Sequence, residues 1–330
     1  MKSKHVTFFA GVAVLLIQAA VFGEAEPEPV VEEGGGFGEY LASLANSVAY
    51  IIEAFILFFL AKVAYTKLYR KVDINGELFT RDNLAAAVST CGYYFGILLA
   101  LGGAIAGPSN GLSQDLASIG IYGLMSIALM LVASVVCEHI LLPQFNNTKE
   151  VIEDRNLGTA FVEAGLYTAN GLILFRSGQG STGTETSQVT EIFVGIIFWI
   201  LAQIVLIIAG KIYEIMTPHK IHDEIERDNA AVGLAFGGAL IGMGNIVSAA
   251  VAGDFYPNEP GAWGAALSTF VVDSIFGLLM LMIIHRVTDI VLAPNVSLAA
   301  EQTQEKPNVG AGLLEAFGYI GASMLVVWSL

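Results

Sequence analysis

The stretch Arg-Asp-Asn-Leu-Ala-Ala-Ala, residues 81–87, leads into a long apolar segment, and similar stretches recur three times later in the chain. The later ones are Asp-Arg-Asn-Leu-Gly-Thr-Ala at 154–160, Arg-Asp-Asn-Ala-Ala-Val-Gly at 227–233 and Lys-Pro-Asn-Val-Gly-Ala-Gly at 306–312. The four asparagines, which follow one another at nearly constant spacing, are Asn83, Asn156, Asn229 and Asn308. A nearly constant period predicts a fold built from repeated units. Each unit here has two long apolar segments joined by a polar linker.

The composition is typical of a membrane protein. Of the 330 residues, 55% are hydrophobic and 14% are charged, and the mean hydropathy is +0.67. Soluble domains contain about 25% charged residues. The net charge of −15 disfavours a nucleic-acid partner, because nucleic-acid-binding surfaces are basic. The two cysteines, Cys91 and Cys137, fit neither a disulfide framework nor a zinc site, and we expect both to be buried thiols.

The segment 1–23 is predicted to be a secretory signal peptide. Lys2 and Lys4 precede an apolar core at 6–22, and small residues near Gly23 suit a cleavage site. Without cleavage this segment becomes one further span. Residues 24–39 form an acidic tail, which we expect outside the cytoplasm.

Eight transmembrane helices are predicted. About 20 apolar residues cross the hydrocarbon core as a helix, and a helix satisfies its own backbone hydrogen bonds in lipid. The predicted spans are residues 44–65, 84–106, 117–141, 157–176, 191–212, 230–252, 264–286 and 309–329. The fold is therefore predicted to be an all-α, polytopic membrane bundle of four helical hairpins.

The distribution of positive charge predicts the orientation. Lys and Arg are concentrated in the linkers within hairpins, whereas segments 107–114 and 253–260 between hairpins contain none. Positively charged loops remain in the cytoplasm, so we expect a bacterial inner-membrane protein with its mature N- and C-termini on the periplasmic side. Successive hairpins then point the same way, as parallel repeats about an axis along the membrane normal.

A second duplication divides the membrane region into two four-helix halves, residues 40–180 and 181–330. Asn-Leu-Gly-Thr-Ala-Phe-Val-Glu-Ala at 156–164 parallels Asn-Val-Gly-Ala-Gly-Leu-Leu-Glu-Ala at 308–316. The first and third hairpins share Arg-Asp-Asn instead. Each half therefore contains two unlike hairpins.

The asparagine motifs, each followed by a glycine, resemble the YjfL-like family of bacterial membrane proteins, the domain of unknown function numbered three hundred and fifty. The matching residues are Asn83, Asn156, Asn229 and Asn308, with Gly92, Gly165, Gly238 and Gly318. The fourth repeat departs from the pattern, with Phe317 at the glycine position and Pro307 before the asparagine. The resemblance covers residues 40–330 as two tandem copies. It implies a helical membrane bundle and no catalytic activity.

The same resemblance implies partners besides the lipid bilayer. Members often lie in gene clusters with phage-shock-type peripheral membrane proteins, which implies a peripheral partner and a role in envelope stress. Members of half this length imply pairing of four-helix units, either within this chain or in a homo-oligomer.

The four asparagines are predicted to be helix N-caps, whose side-chain oxygens accept hydrogen bonds from unpaired backbone N–H groups. The alternative is a ring of helix N-termini at the cytoplasmic side that holds an anion.

Small residues four positions apart recur in the second helix of every hairpin. The pairs are Gly92/Gly96, Gly165/Ala169, Gly238/Gly242 and Gly318/Ala322. Such stripes allow helices to approach closely, so we expect these four helices to pack together at the centre. A glycine-lined pore is the alternative.

Acidic residues within the spans are candidate proton or cation sites. Glu163 and Glu315 each lie seven residues beyond an asparagine, about 10 Å from the cytoplasmic helix end. A carboxylate at that depth is costly and therefore often functional. The alternative is a partly hydrated carboxylate held by Ser, Thr or backbone donors. Glu53 and Asp273 lie mid-span and are expected to be more deeply buried.

Two functional hypotheses follow. Zinc-protease, P-loop and dinucleotide-binding motifs are missing from the sequence, so neither an enzyme nor a cofactor or metal site is predicted. The first hypothesis is a channel or secondary transporter for protons or small cations, in which the four acids bind or relay the cation. The second is a non-transporting platform whose charged linkers recruit a peripheral partner. A polar lumen joining the acids would favour transport, and a tightly packed centre would disfavour it.

Overall fold

The computed structural model describes residues 37–107, 109–144, 146–180 and 187–329, and within them all regular secondary structure is helical. The predicted signal peptide and residues 24–36 of the acidic tail lie outside the described residues. The first helix begins at Phe37, inside the segment predicted to be tail.

The described residues contain eight long helices. They are α1 (Phe37–Leu68), α3 (Leu84–Ile105), α4 (Leu112–Val136), α6 (Leu157–Gln179), α7 (Gln188–Met216), α9 (Ala230–Val251), α10 (Ala262–Leu292) and α12 (Val309–Ser329). Short helices within the linkers precede four of them. These are α2 (Ile74–Phe79), α5 (Asn147–Ile152), α8 (Ile221–Glu226) and α11 (Leu298–Gln302). Helix α4 continues into a short π-helix, Cys137–Leu141.

The contacts divide the chain into two units within α1. The described residues up to Ile51 form the beginning of that helix. Residues from Ile52 onward form a compact unit that contains the rest of α1 and all the other helices, and the packing below is that of this second unit.

Helices α3, α6, α9 and α12 form a row in which each packs along the next. Small residues make these contacts. Gly92 of α3 lies against Ala164 of α6, and Gly165 of α6 lies against Gly237 of α9. A Cβ atom at Gly165 would overlap the backbone of Gly237. The helices of the row therefore meet backbone to backbone, as small-residue packing in membranes allows.

Each helix of the row begins at one of the four asparagines. The side-chain oxygens of Asn83, Asn156, Asn229 and Asn308 accept hydrogen bonds from the backbone N–H groups of Ala86, Thr159, Val232 and Gly310 over 3.1, 3.0, 3.2 and 3.0 Å. The preceding residues Asp82, Arg155 and Asp228 have φ of 49°, 56° and 59°. This left-handed conformation turns the chain from a short helix into a long one, and aspartate adopts it more readily than arginine does.

Helices α4, α7 and α10 pack on the outside of the row. Large apolar side chains on their outward faces, such as Ile208 and Ile283, are exposed. Continuous exposed apolar surface of this kind is rare in soluble monomers and is suited to lipid.

Seven of the long helices are long and apolar enough to cross a membrane. Helix α6 is not among them, because its sequence contains Glu163, Asn170 and Arg176. It lies between α3 and α9, and most of its residues are buried.

Candidate functional site

Two polar clusters surround the glutamates Glu163 and Glu315. We call the first, built from Ser89, Glu163, Tyr65 and Tyr167, the Glu163 cluster. The second, built from Tyr213, Gln302, Glu315 and Tyr319, is the Glu315 cluster. Each lies near the end of the bundle where the linkers and short helices are found.

The Glu163 cluster is buried beside a small pocket. Only 5% of Glu163 is exposed, and the hydroxyl of Ser89 on α3 donates a hydrogen bond to its carboxylate. Tyr93 links the surrounding aromatic rings, since it stacks on Tyr65 at 4.2 Å and meets Tyr167 edge-on at 5.6 Å between ring centroids. The adjoining cavity is about 30 Å³, which is room for no more than one or two water molecules.

The Glu315 cluster is open. Glu315 is half-buried, and its carboxylate accepts hydrogen bonds from the hydroxyl of Tyr213 at 3.0 Å and from the side-chain amide of Gln302. Beside it lies a cleft of about 660 Å³. This linker-side cleft is lined by residues of α7, α10 and α12, among them Tyr213, His285, Arg286, Asp289, Glu315 and Tyr319.

His285 and Asp289 bring further titratable groups to the linker-side cleft. The His285 ring stacks on Tyr319 with centroids 3.8 Å apart. Its Nε2 lies 3.3 Å from the Asp289 carboxylate, one helical turn further along α10. The arrangement places two carboxylates, an imidazole and the Arg286 guanidinium around an open space. With the imidazole neutral, negative charge remains in excess, which suits a proton or a cation better than an anion.

The sequence model of a family described as Domain of Unknown Function (DUF350) matches the chain twice, at residues 39–177 and 187–330. The chain belongs to this family. The family predicted from the asparagine and glycine motifs is thus confirmed. A curated relative is the UPF0719 transmembrane protein of Aquifex aeolicus (strain VF5), which is 19% identical over 278 residues, 84% of this chain and 97% of the relative. No solved structure matches the chain.

These similarities make the DUF350 chain a multi-pass membrane protein of unknown function. They do not assign a role to any residue, so the candidate residues are judged by where the structure places them.

The structure does not bring the four candidate acids together. The Glu163 and Glu315 clusters have no residue in common. Glu53 lies on α1, where it faces Gly120 of α4, and Asp273 lies on α10. Both are half-buried, as Glu315 is, and neither is as buried as Glu163. Only one face of α1 and of α10 packs against protein. The position of an acid along its helix does not show whether its side chain lies on that face.

The glycines of the DUF350 chain lie in contacts between helices, not around a pore. A Cβ atom at Gly96 would overlap Tyr167, and one at Gly242 would approach Tyr319. Gly238 lies equally close to Ala316. Gly318 is buried in α12. The pore-lining alternative is therefore wrong for these residues, because no space remains between the helices that they join.

The asparagine side chains have no capacity left for an anion. Besides capping its helix, Asn83 donates from its amide nitrogen to Glu77 and to the Val151 carbonyl. Asn156 donates likewise to Glu150 and Ile225. A carboxylate beside each amide repels anions, so the anion-binding alternative is disfavoured.

Other observations concern metals, thiols and a mid-span amide. Among the residues described, no three His, Cys, Asp or Glu side chains are grouped so as to hold a metal ion. Cys137 is buried, but Cys91 is exposed on α3, contrary to expectation. The side-chain oxygen of Asn170 accepts hydrogen bonds from Trp199 and Gln203 of α7, as suits an interhelical bond.

Three members of the Glu315 cluster and its cleft were missed from the sequence. Tyr213 lies on the outer helix α7, Gln302 lies in the short linker helix α11 and His285 lies on the outer helix α10. One signal was available, because Tyr65 and Tyr213 occupy matching positions in the two halves of the chain and each accompanies one glutamate.

Proposed function

We propose that this protein is a non-enzymatic secondary transporter for protons or small cations and that the transported cation binds at Glu315. The observation that carries the proposal is the half-buried Glu315 carboxylate, which faces a cleft of about 660 Å³. Asp289 lines the same cleft. An ionised carboxylate within a membrane span is costly, and a bound proton or cation offsets that cost.

The surrounding donors support a site that can exchange its cation. Tyr213 and Gln302 each donate one hydrogen bond to Glu315, which leaves lone pairs of the carboxylate for a ligand. Glu163, by contrast, is enclosed with Ser89 and has space for hardly any water. We therefore assign exchange to Glu315 and a structural role to Glu163.

The proposed topology has eight spans arranged as four parallel hairpins in two halves, in a bacterial inner membrane. Helix α6 crosses as the eighth span, because α3 and α9 shield its polar residues from lipid. The positively charged linkers lie in the cytoplasm, which places the linker-side cleft on that side and both mature termini in the periplasm.

The packed centre restricts the route that a cation can follow. Helices of the row meet through Gly165 and its counterparts without intervening space. By the criterion stated from the sequence, this packed centre counts against transport along the row, and buried apolar side chains also fill the contacts of α9 with α7 and α10. The transport proposed here therefore depends on movement of α7 and α10 relative to the row. Such a transporter works by alternating access, without an open lumen.

Flux in proteoliposomes tests the proposal. Proton and monovalent-cation flux is measured for the wild type, for Glu315→Gln and for the matched buried variant Glu163→Gln. We expect Glu315→Gln to abolish flux and Glu163→Gln to retain most of it, with both proteins monodisperse in detergent. Wild-type protein without flux at any pH or membrane potential would overturn the proposal, and so would full flux through Glu315→Gln.

One observation favours the second function, a platform for a peripheral protein. The linkers form an ordered layer, since Asp73, Asn146 and Ser297 cap α2, α5 and α11, and the layer exposes the side chains of Lys220 and Arg227. The test is co-sedimentation of a phage-shock-type peripheral protein with proteoliposomes. A platform requires binding that Lys220→Ala/Arg227→Ala weakens and that empty vesicles lack.

A further inference from the structure

The row of helices α3, α6, α9 and α12 has two open edges. Among the described residues, each helix of the row packs along the next, and α12 does not pack along α3. We call the outward faces of these two terminal helices the α3 edge and the α12 edge. Exposed residues recur along each edge at intervals of seven or eleven, which return to one face of a helix. They are Leu84, Cys91 and Leu98 on the α3 edge and Gly310, Phe317 and Trp328 on the α12 edge.

The position of a residue along its row helix decides which neighbouring helix it faces. The ninth residue after a capping asparagine faces the next helix of the row, and the eighth residue faces the previous helix. All three inner contacts of the row follow this rule, with Gly92 against Ala164, Gly165 against Gly237 and Gly238 against Ala316. The row helices therefore lie side by side, point the same way and are joined by one repeated contact.

A second pair of positions repeats in the same manner. The second residue after the asparagine faces the fourth residue of the next helix, as Gly158 faces Gly233 and Ala231 faces Gly312. The two rules together identify which residues at each edge lack the neighbour that their counterparts have inside the row.

Each edge carries one member of both residue pairs. Cys91 on α3 follows its asparagine by eight residues, Phe317 on α12 follows its asparagine by nine, and both are exposed. Ala87 and Gly310 occupy the fourth and second positions of the same two helices. Three of these four residues are small, whereas the outward faces of the outer helices carry large side chains such as Ile283. Small residues are typical of contacts between membrane helices, so the edges resemble the inner contacts of the row more than a lipid-facing surface.

We propose that the α12 edge of one copy of this chain packs against the α3 edge of a second copy, with Phe317 against Cys91 and Gly310 against Ala87. The row then continues from chain to chain through the contact that already joins its members. The copies are related by an axis along the membrane normal, because all the row helices point the same way. A contact between unlike edges closes into a ring when the rotation between copies allows it. This interface does not depend on the proposed transport function.

Helix α1 also lacks a neighbour that a second copy supplies. Gln203 lies ten residues before Tyr213 on α7 and donates a hydrogen bond to Asn170 of α6, the row helix that precedes α9. The residue ten before the matching Tyr65 on α1 is Phe55, which is 71% exposed. Among the described helices α3 begins the row, so Phe55 has no preceding row helix to pack on. Helix α12 of the second copy takes that place, and its apolar edge suits an apolar ring.

Disulfide crosslinking in native membranes tests the interface. Cys91 supplies one exposed thiol and Cys137 is buried, so Phe317→Cys adds the second accessible thiol without further changes. Two cysteines can form a disulfide when their Cα atoms lie within about 7 Å. After oxidation with copper phenanthroline, we expect Phe317→Cys to yield several-fold more crosslinked multimer on denaturing gels than the wild type. Adding Cys91→Ala should remove that increase.

Coexpression of two differently tagged chains shows which edges meet. One chain carries Phe317→Cys/Cys91→Ala, and the other keeps both Phe317 and Cys91. The expected product contains one chain of each tag. A product made mainly of two chains with the same tag would overturn the pairing of unlike edges.

A matched control separates a specific contact from random collision. Ile283→Cys places an accessible thiol on the outward face of α10 at a similar depth and is expected to give no more multimer than the wild type. Where loss of the Phe317 ring weakens the contact, Ala87→Cys/Gly310→Cys/Cys91→Ala keeps the ring and should form the same multimers. Crosslinking no greater than that of Ile283→Cys with both cysteine pairs would show that lipid covers the edges. That result would overturn the interface, and so would a disulfide formed within one chain.

Discussion

The Glu163 and Glu315 clusters share a glutamate and a following tyrosine at matching positions but differ in their access to solvent. In each, the glutamate follows a capping asparagine by seven residues and a tyrosine follows the glutamate by four. Glu163 is enclosed beside a space of about 30 Å³, whereas Glu315 faces one of about 660 Å³. Similar local sequences therefore leave one carboxylate enclosed and the other beside an open cleft, and the proposed cation exchange is assigned to the second.

The difference arises from neighbouring helices. Ser89 lies six residues after Asn83, and its counterpart six residues after Asn229 is Ala235. The first cluster thus has a hydroxyl that pairs with the carboxylate, and the second has a methyl group at the matching position. On the outer side, the buried Cys137 lies in the first half, whereas the polar His285 lines the linker-side cleft in the second.

The largest expected effect comes from changes at the glycine contacts between helices of the row, where α3 meets α6 and α9 meets α12. Gly92→Leu and Gly238→Leu each place a side chain where Ala164 or Ala316 already lies. Overpacking of this severity should cost about 3 kcal/mol or more, so both variants should be recovered poorly and unfold at lower temperature in detergent.

Gly321→Leu is the matched control for Gly92→Leu and Gly238→Leu, because a Cβ atom there meets nothing within 4 Å. It should behave like the wild type. Normal stability of Gly92→Leu or Gly238→Leu would show that the row is looser than described.

Removing one hydroxyl from each cluster should destabilise the protein more at the enclosed Glu163 than at the open Glu315. Ser89→Ala leaves Glu163 buried without its donor, which should cost about 1–3 kcal/mol. Tyr213→Phe should cost less, because Gln302 still donates to Glu315 and water can enter the cleft. Thermal unfolding in detergent measures both.

Ser268→Ala is the control for the hydroxyl variants, since Ser268 is exposed and bonds only within its own helix. Equal losses of stability in Ser89→Ala and Tyr213→Phe would contradict the distinction between enclosed and open clusters.

Installing the first cluster's hydroxyl in the second should partly close it. Ala235 is fully buried at the position that matches Ser89, and Ala235→Ser is expected to donate to Glu315. A new hydrogen bond to a carboxylate should stabilise the protein by about 1 kcal/mol and reduce cation flux several-fold. Ala235→Val serves as the size control without a donor, and unchanged flux through Ala235→Ser would contradict the comparison.

Features that repeat along the chain were predictable from the sequence. The asparagine positions correspond to the starts of the row helices, and the small-residue pairs anticipated close packing among those helices. Both signals are local, because capping depends on residues two or three apart and a helix stripe on residues four apart. The family assignment rests on the same repeated residues.

Contacts between residues that are distant in the sequence were not predictable. Tyr213 and Glu315 are distant in the sequence and come together only through the packing of α7 against the row, and no short motif encodes such a pairing. The glutamates Glu163 and Glu315 occupy similar strings with the same spacing from an asparagine, so their different exposure could not be predicted from those strings. Glu53 shows the same limit, since its span was predicted but the face of the helix on which it lies was not.

The smallest expected effect is a pH dependence confined to the open cluster. His219 lines the linker-side cleft just outside α7, and partial burial lowers the pKa of its imidazole below the usual 6.5. The unfolded chain then binds a proton as the pH falls through 6.5, whereas the folded protein resists it. The free energy of unfolding should therefore decrease below pH 6.5 by a fraction of the Ser89→Ala effect.

His219→Gln should remove that decrease, while Lys71→Gln, the change at the matching position of the first half, should leave it intact. Unfolding curves at pH 5.5 and 7.5 (~1 unit either side) measure the difference, and an identical pH slope in the wild type and His219→Gln would show that the imidazole remains accessible to protons.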